Sequence, residues 1–421
     1  MKIVNRNFFL INFILLSFIS YVYFWDIKSS LIQIRFLIIL LIFPYFFLSE
    51  NKINSIVYFF FPVLFIFIHL ITVSNTLDIK INVQRIYEIF FLYYFLIISY
   101  AYKEIILNYL NQFILIFLLI FYLSITFHFF KKPESINFII SCYQGWFSLN
   151  NFLFLENSHF GMISSSILWY SVFRIFDNKI NFISKFLLLI FIIFSFINIS
   201  TSFLFNIIII SFLALFFCFK KIHSKEFLVI LFLLIVSFFI LIFEKQCAGR
   251  FFDTVKSVTS YFTFSKKEEV EVEVEVEVRN FIPNMSTSIY VNSQKVMIFA
   301  LKENIFGFGL NQYYVVHEKY FIKNKDQYNF DIEPYLLQLN KQDASNNFVK
   351  LVCEFGIFSI FIFYFILKLL MNNTPLFLKF FFLAPLISQL FLRGAGYFNG
   401  GFIFFLFFTI ILSFKNNRKI I

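Results

Sequence analysis

The sequence predicts an all-α polytopic integral membrane protein, with about twelve transmembrane helices and one large loop outside the cytoplasm. Three observations carry that expectation. Of 421 residues, 60% are hydrophobic and only 14% charged, and the mean hydropathy is +0.82, a balance that a soluble core cannot bury. Apolar runs of about 18 residues recur along the whole chain, each long enough to cross a hydrocarbon core as a helix. Lysine and arginine gather on alternate connections between those runs, as they do on the cytoplasmic side of membrane proteins.

The expected spans are 8–25, 31–48, 56–73, 86–101, 113–130, 158–176, 182–199, 203–219, 227–243, 348–370, 376–392 and 400–414. The first follows Lys2 and Arg6 and runs from Phe8 to Trp25 without a small-residue cleavage site, so it is expected to stay uncleaved. Lys52, Lys103, Arg174, Lys179, Lys185, Lys220, Lys221, Lys225, Lys368, Lys379 and the tail from Lys415 fall on one side. The short connections on the other side hold fewer: Lys28, Lys80, Arg85, Lys131, Lys132 and Arg393. The first side, with both termini, is expected to be cytoplasmic. The net charge of +11 belongs to that bias and does not call for nucleic acid. The 74 phenylalanines are explained by a compositional bias and are given no function.

Three parts follow: an N-terminal bundle over 1–243, a large outer loop over 244–347, and a C-terminal bundle over 348–421. Short helices are expected in the loop around 293–303 and 333–340. Glu268 to Val278 alternates Glu and Val, which suits either a low-complexity insertion or an acidic strand. Of four cysteines, Cys142 and Cys247 fall outside, where a disulfide is permitted. No Cys/His spacing suggests a metal, and no cofactor motif occurs.

Ionisable groups within spans are costly and are functional candidates by default. Arg35, His69, Glu88, His128, Glu156, His159, Lys350, Glu354 and Arg393 all fall in or near the outer half of the membrane. Together they suit an outward-facing polar site, although single members also suit interface anchoring or local pairing, as Lys350 with Glu354 at i,i+4. An arginine at such a site suits a phosphate or pyrophosphate, and a carboxylate or histidine can take a proton from a sugar hydroxyl.

Four stretches exceed apolar filler: Glu156 to Met162 (ENSHFGM), Ala300 to Leu310 (ALKENIFGFGL), Ala344 to Gly356 (ASNNFVKLVCEFG) and Arg393 to Gly401 (RGAGYFNGG). Asn346 is placed to cap the helix that opens the third. The order and placement of the last three stretches resemble the bacterial O-antigen polymerase family, within the O-antigen ligase and polymerase superfamily. The resemblance covers the overall plan of many spans, a large late periplasmic loop and a few closing spans. It implies a glycosyltransferase of the bacterial inner membrane that joins repeat units carried on undecaprenyl pyrophosphate at the periplasmic face. A chain-length regulator and a flippase are its expected partners. It implies periplasmic arginines for the pyrophosphates, with Arg393 the closest local match and Arg250 and Arg279 in the large loop. Lys295 stands near the basic position before the glycine turn. Glu354 is the candidate base or sugar ligand, and His159 and Asn346 complete the expected substrate-binding set. With no metal cluster, metal-independent transfer is expected. The ligase branch usually carries His-Asn where this chain has Ser345-Asn346. That favours the polymerase over the ligase, with a lipid-linked oligosaccharide flippase as the competing class.

Overall fold

A computed structural model describes residues 52–76, 83–131, 157–197, 201–243, 252, 285–323, 341, 344–394, 396–397 and 401–414. Among them every regular element is a helix. In chain order these are α1 (Lys52–Thr76), α2 (Val83–Ala101), α3 (Lys103–Lys131), α4 (Asn157–Arg174), α5 (Phe182–Ile197), α6 (Thr201–Cys218) and α7 (Ser224–Phe243). There follow α8 (Met285–Glu303), α9 (Tyr313–Lys323), α10 (Asn347–Phe355), α11 (Ile360–Met371), α12 (Leu376–Ile387) and α13 (Phe402–Phe414). Four stretches are long and apolar enough to cross a membrane: Lys103–Leu123, Thr201–Lys221, Ser224–Phe243 and Asn347–Met371. Shorter apolar helices accompany them at Phe60–Val73, Phe182–Ile193, Leu376–Leu392 and Phe402–Phe414.

The bundle closes around α12, in which Leu378 to Ile387 are all buried. Its partner α4 brings Ser164, Ser165 and Ser166, each buried, and small residues of this kind let two helices approach closely. Trp169 and Phe173 of α4 pack on Phe380 at 5.9 and 5.3 Å between ring centroids. On the other side Phe382 stacks on Phe408 of α13 at 4.9 Å. The outer surface is the reverse of a soluble protein's. Phe182 is 81% exposed, Phe216 82% and Phe61 67%, a belt that lipid can cover and water cannot.

Ten of the twelve expected spans coincide with helices to within a turn or so at most ends, α3 starting ten residues early at Lys103. Those at 8–25 and 31–48 lie outside the described residues, as do Cys142, Cys247 and the Glu-Val repeat. Three corrections emerge. The span expected at 348–370 falls within the apolar stretch Asn347–Met371 but is not one continuous α-helix. It breaks at Gly356, where a 3-10 turn over Gly356–Ser359 separates α10 from α11. The large loop carries a helix at Tyr313–Lys323 that its aromatic and β-branched start hides, while 333–340 lies outside the described residues. Lys379, expected as a cytoplasmic interface charge, has no exposure. Its Nζ donates to the carbonyls of Leu370 at 2.7 Å and Asn372 at 3.1 Å, because the last carbonyls of α11 lack helical donors.

Candidate functional site at the broken span

Asn346 caps α10, its Oδ1 accepting the Val349 N–H at 2.9 Å. The next residue reaches sideways: Asn347 Oδ1 accepts the Gly396 N–H at 3.2 Å, and its Nδ2 donates to the Gly396 carbonyl at 3.4 Å. The Gly394 N–H donates to the Ser345 carbonyl at 3.1 Å. A Cβ at Gly394 would lie 2.5 Å from the Asn347 nitrogen, so the RGAG segment meets the SNN segment backbone to backbone. Asn346 Nδ2 adds a bond to the Phe391 carbonyl at 3.4 Å.

The other end of α10 is sealed by the glycine turn of the loop. Gly356 has φ +55°, and a Cβ there would lie 1.9 Å from the Ile305 carbonyl oxygen. Breaking the helix frees carbonyls, and the turn supplies the donors. The Phe308 N–H donates to Cys353 at 3.0 Å and the Gly309 N–H to Glu354 at 2.8 Å, while the Ile357 N–H donates to Ile305 at 2.9 Å. Non-helical backbone at membrane depth persists only where its polar groups find such partners.

Glu354 has no exposure. Its Oε2 accepts the Asn311 N–H at 2.6 Å and its Oε1 the Tyr313 N–H at 3.1 Å. The carboxylate therefore sits at the N-terminus of α9, where free N–H groups and the helix dipole favour an anion. Lys350, one turn earlier on α10 and 2% exposed, acts on Glu354 through its charge and lies 5.1 Å from the Tyr397 ring centroid. The Tyr397 hydroxyl lies beside the same carboxylate but outside hydrogen-bonding geometry. From α1, His69 Nε2 binds the Phe306 carbonyl at 2.8 Å, so that nitrogen carries the proton. Its ring stacks on Phe355 at 5.8 Å.

Arg393 ends a π turn over Ser388–Leu392, its N–H donating to the Ser388 carbonyl at 3.0 Å. It is partly exposed and adjoins Gly394, so the segment that bears it is fixed against Ser345. Lys295 is half-buried on α8, and burial pushes its ammonium below the usual lysine range. At about 100° per residue it stands roughly 130° from the stripe of Ser293, Val296 and Ala300, the stripe whose Ser293 hydroxyl meets that of Ser345. The structure therefore gathers Asn346, Glu354 and the Arg393 segment and leaves Lys295 off their face. His159 stands in the first turn of α4; its side chain, those of Glu88 and His128, and all of Arg35, Glu156, Arg250 and Arg279 lie outside the described part.

His69 and Lys350, expected in an outward-facing polar site, join it, and so do Asn347 and Tyr397, which sequence reasoning did not single out. The signal was present for Asn347 inside ASNNFVKLVCEFG and for Tyr397 inside RGAGYFN. Among the described residues no group of three His, Cys, Asp or Glu could hold a metal. Comparison with known protein families, with curated proteins and with solved structures gives no match.

Proposed function

We propose that the chain is an O-antigen polymerase, a glycosyltransferase acting on lipid-linked repeat units at the periplasmic face of the bacterial inner membrane. One observation carries the reading most. Three stretches that resemble the family's motifs converge on the short helix α10, the 393–396 segment at its start by Ser345 and Asn347 and the glycine turn at its end by Gly356. Such convergence is what a site requires of residues scattered along the sequence.

In this reading Arg393 faces the pyrophosphate. A hydroxyl oxygen of the incoming lipid-linked unit attacks the anomeric carbon at the end of the growing chain. The bond from that carbon to the pyrophosphate oxygen breaks, and undecaprenyl pyrophosphate leaves with the electron pair. The hydroxyl proton passes to a base. Arg393 stabilises the charge that grows on the leaving oxygens, a transition-state effect. Glu354 enters as a positioning residue, since both its oxygens hold α9 in place, and Lys350 balances its charge.

The broken span also favours a second reading, because transporters build substrate sites from discontinuous helices. A flippase for the same lipid-linked oligosaccharide would use the break as its path. The deciding experiment is the lipopolysaccharide banding of a strain lacking the gene. Lipid A core bearing one repeat unit is the expected result. Bare core would replace the polymerase with the flippase or the ligase, and an unchanged ladder would reject all three for that polymer.

A further inference from the structure

The glycine turn that seals the broken span has an outward side of its own. Helix α8 directs Val296 and Ala300 inward, where they cluster with Val73 of α1 and Val349 and Cys353 of α10. On its opposite face Ile298 and Leu301 are 38% and 37% exposed, and in the turn Ile305 and Phe306 are each 53% exposed. This apolar patch does not stop at the loop. The Phe306 ring stacks on Phe358 at 5.9 Å, and Phe358 meets Phe65 of α1 at 5.4 Å. Phe65 in turn belongs to an exposed apolar stripe with Phe61 and Ile68, the surface that the spans turn to lipid.

Depth can be read along α1. His69, which binds the Phe306 carbonyl, lies 17 residues beyond Lys52, or about 25 Å at a rise of about 1.5 Å per residue. With Lys52 taken as the near boundary of a hydrocarbon core of about 30 Å, the tip of the turn falls about 5 Å inside the far one. The charges fit that level. Lys302 is exposed beside Leu301, and Glu303 is held by Lys323 at 2.7 Å and Lys319 at 3.4 Å. Lysine stems can lie along lipid while their ammonium groups reach the phosphates.

We propose that the α8–turn–α9 hairpin is a wedge in the bilayer leaflet on the loop's side. Ile298, Leu301, Ile305 and Phe306 rest at the boundary between headgroups and acyl chains, and Lys302 meets the lipid phosphates. The partner is a lipid surface, in the manner of interfacial amphipathic helices. Continuity with the lipid-facing belt favours lipid over a soluble protein, which would have to cover the tip while leaving the adjoining spans to the membrane. The inference rests on the membrane reading of the chain and not on its proposed activity.

The test uses the full chain in phosphatidylcholine vesicles, with acyl chains either brominated near the carbonyl or unmodified. F306W and I298W each add one tryptophan to the native three, and the parent's emission is subtracted. The added emission is expected to fall roughly twofold in the brominated vesicles, as for a side chain at the headgroup–acyl boundary. Emission unchanged by brominated lipid would overturn the proposal: quenching by aqueous iodide would then place the face in water, and shielding from both would place it under protein. Ile298 lies on the exposed face of α8, away from the turn, so I298W keeps the test decisive if F306W disturbs the backbone.

Discussion

Gly356 is the residue on which the broken span depends. Its φ of +55° is costly for any residue with a Cβ, and that Cβ would also overlap the Ile305 carbonyl. Gly356→Ala is expected to lose at least about 1–2 kcal/mol from the backbone conformation alone, with the overlap adding to it. The thermal midpoint of the purified protein in detergent measures this. Glu354 makes a second prediction. Glutamine in its place would turn an NH2 group toward one of two backbone N–H donors, leaving a buried donor unsatisfied at about 1–3 kcal/mol. Glu354→Gln should therefore lower the midpoint as well as the activity; a full midpoint with lost activity would move Glu354 from positioning to chemistry. Lys295 adds a pH dependence. A lysine lowered by burial binds fewer protons folded than unfolded, so its cost to stability fades as pH rises toward the unfolded value of about 10.4. The wild-type midpoint should rise relative to that of Lys295→Met over that range. Parallel pH curves for the two proteins would show that the group titrates alike folded and unfolded.

At the scale of the element, α10 is short, capped at one end by Asn346 and bound at the other by the glycine turn. Asn346→Ala should cost about 1 kcal/mol for the lost cap, and Asn346→Ser should restore much of it, because the hydroxyl can still accept the Val349 N–H while the bond to the Phe391 carbonyl is lost. Comparing the two midpoints separates capping from the cross-link to the π turn. The same elements show what was legible in the sequence. Span positions follow from the length of apolar runs, which is local information, and they agree with α1 to α7 and α11 to α13. The break at Gly356 follows from a partner about fifty residues earlier, Ile305, and no local pattern announces it. Helix α9 was hidden for the same reason: its start is stabilised by Glu354, some forty residues later in the chain. Lys379 looked like an interface charge because its true partners, the carbonyls of Leu370 and Asn372, are backbone groups that composition does not show.

For the whole molecule, the question is which way the bundle faces. The basic helix ends lie together in space and not only in the count of charges. The Arg174 guanidinium lies 4.4 Å from the Phe377 ring centroid, where α4 ends and α12 begins. Lys221 Nζ donates to the Asn372 carbonyl at 2.7 Å and to Asn373 Oδ1 at 2.8 Å. Lys368 lies 3.8 Å from the ring centroid of Phe414, at the end of α13. The broken span opens at the opposite end, where α10 meets the loop helices. If positive charge marks the cytoplasmic side, the chain leaves α13 into the cytoplasm and the site faces outward. A green fluorescent protein fused after Ile421 should then fluoresce, and an alkaline phosphatase inserted between Lys323 and Ala344 should be active. The reverse pair of signals would leave the geometry of the site untouched but turn it to the cytoplasm. Polymerisation of lipid-linked units at the periplasmic face would then be impossible, and the proposed function would fall with the orientation.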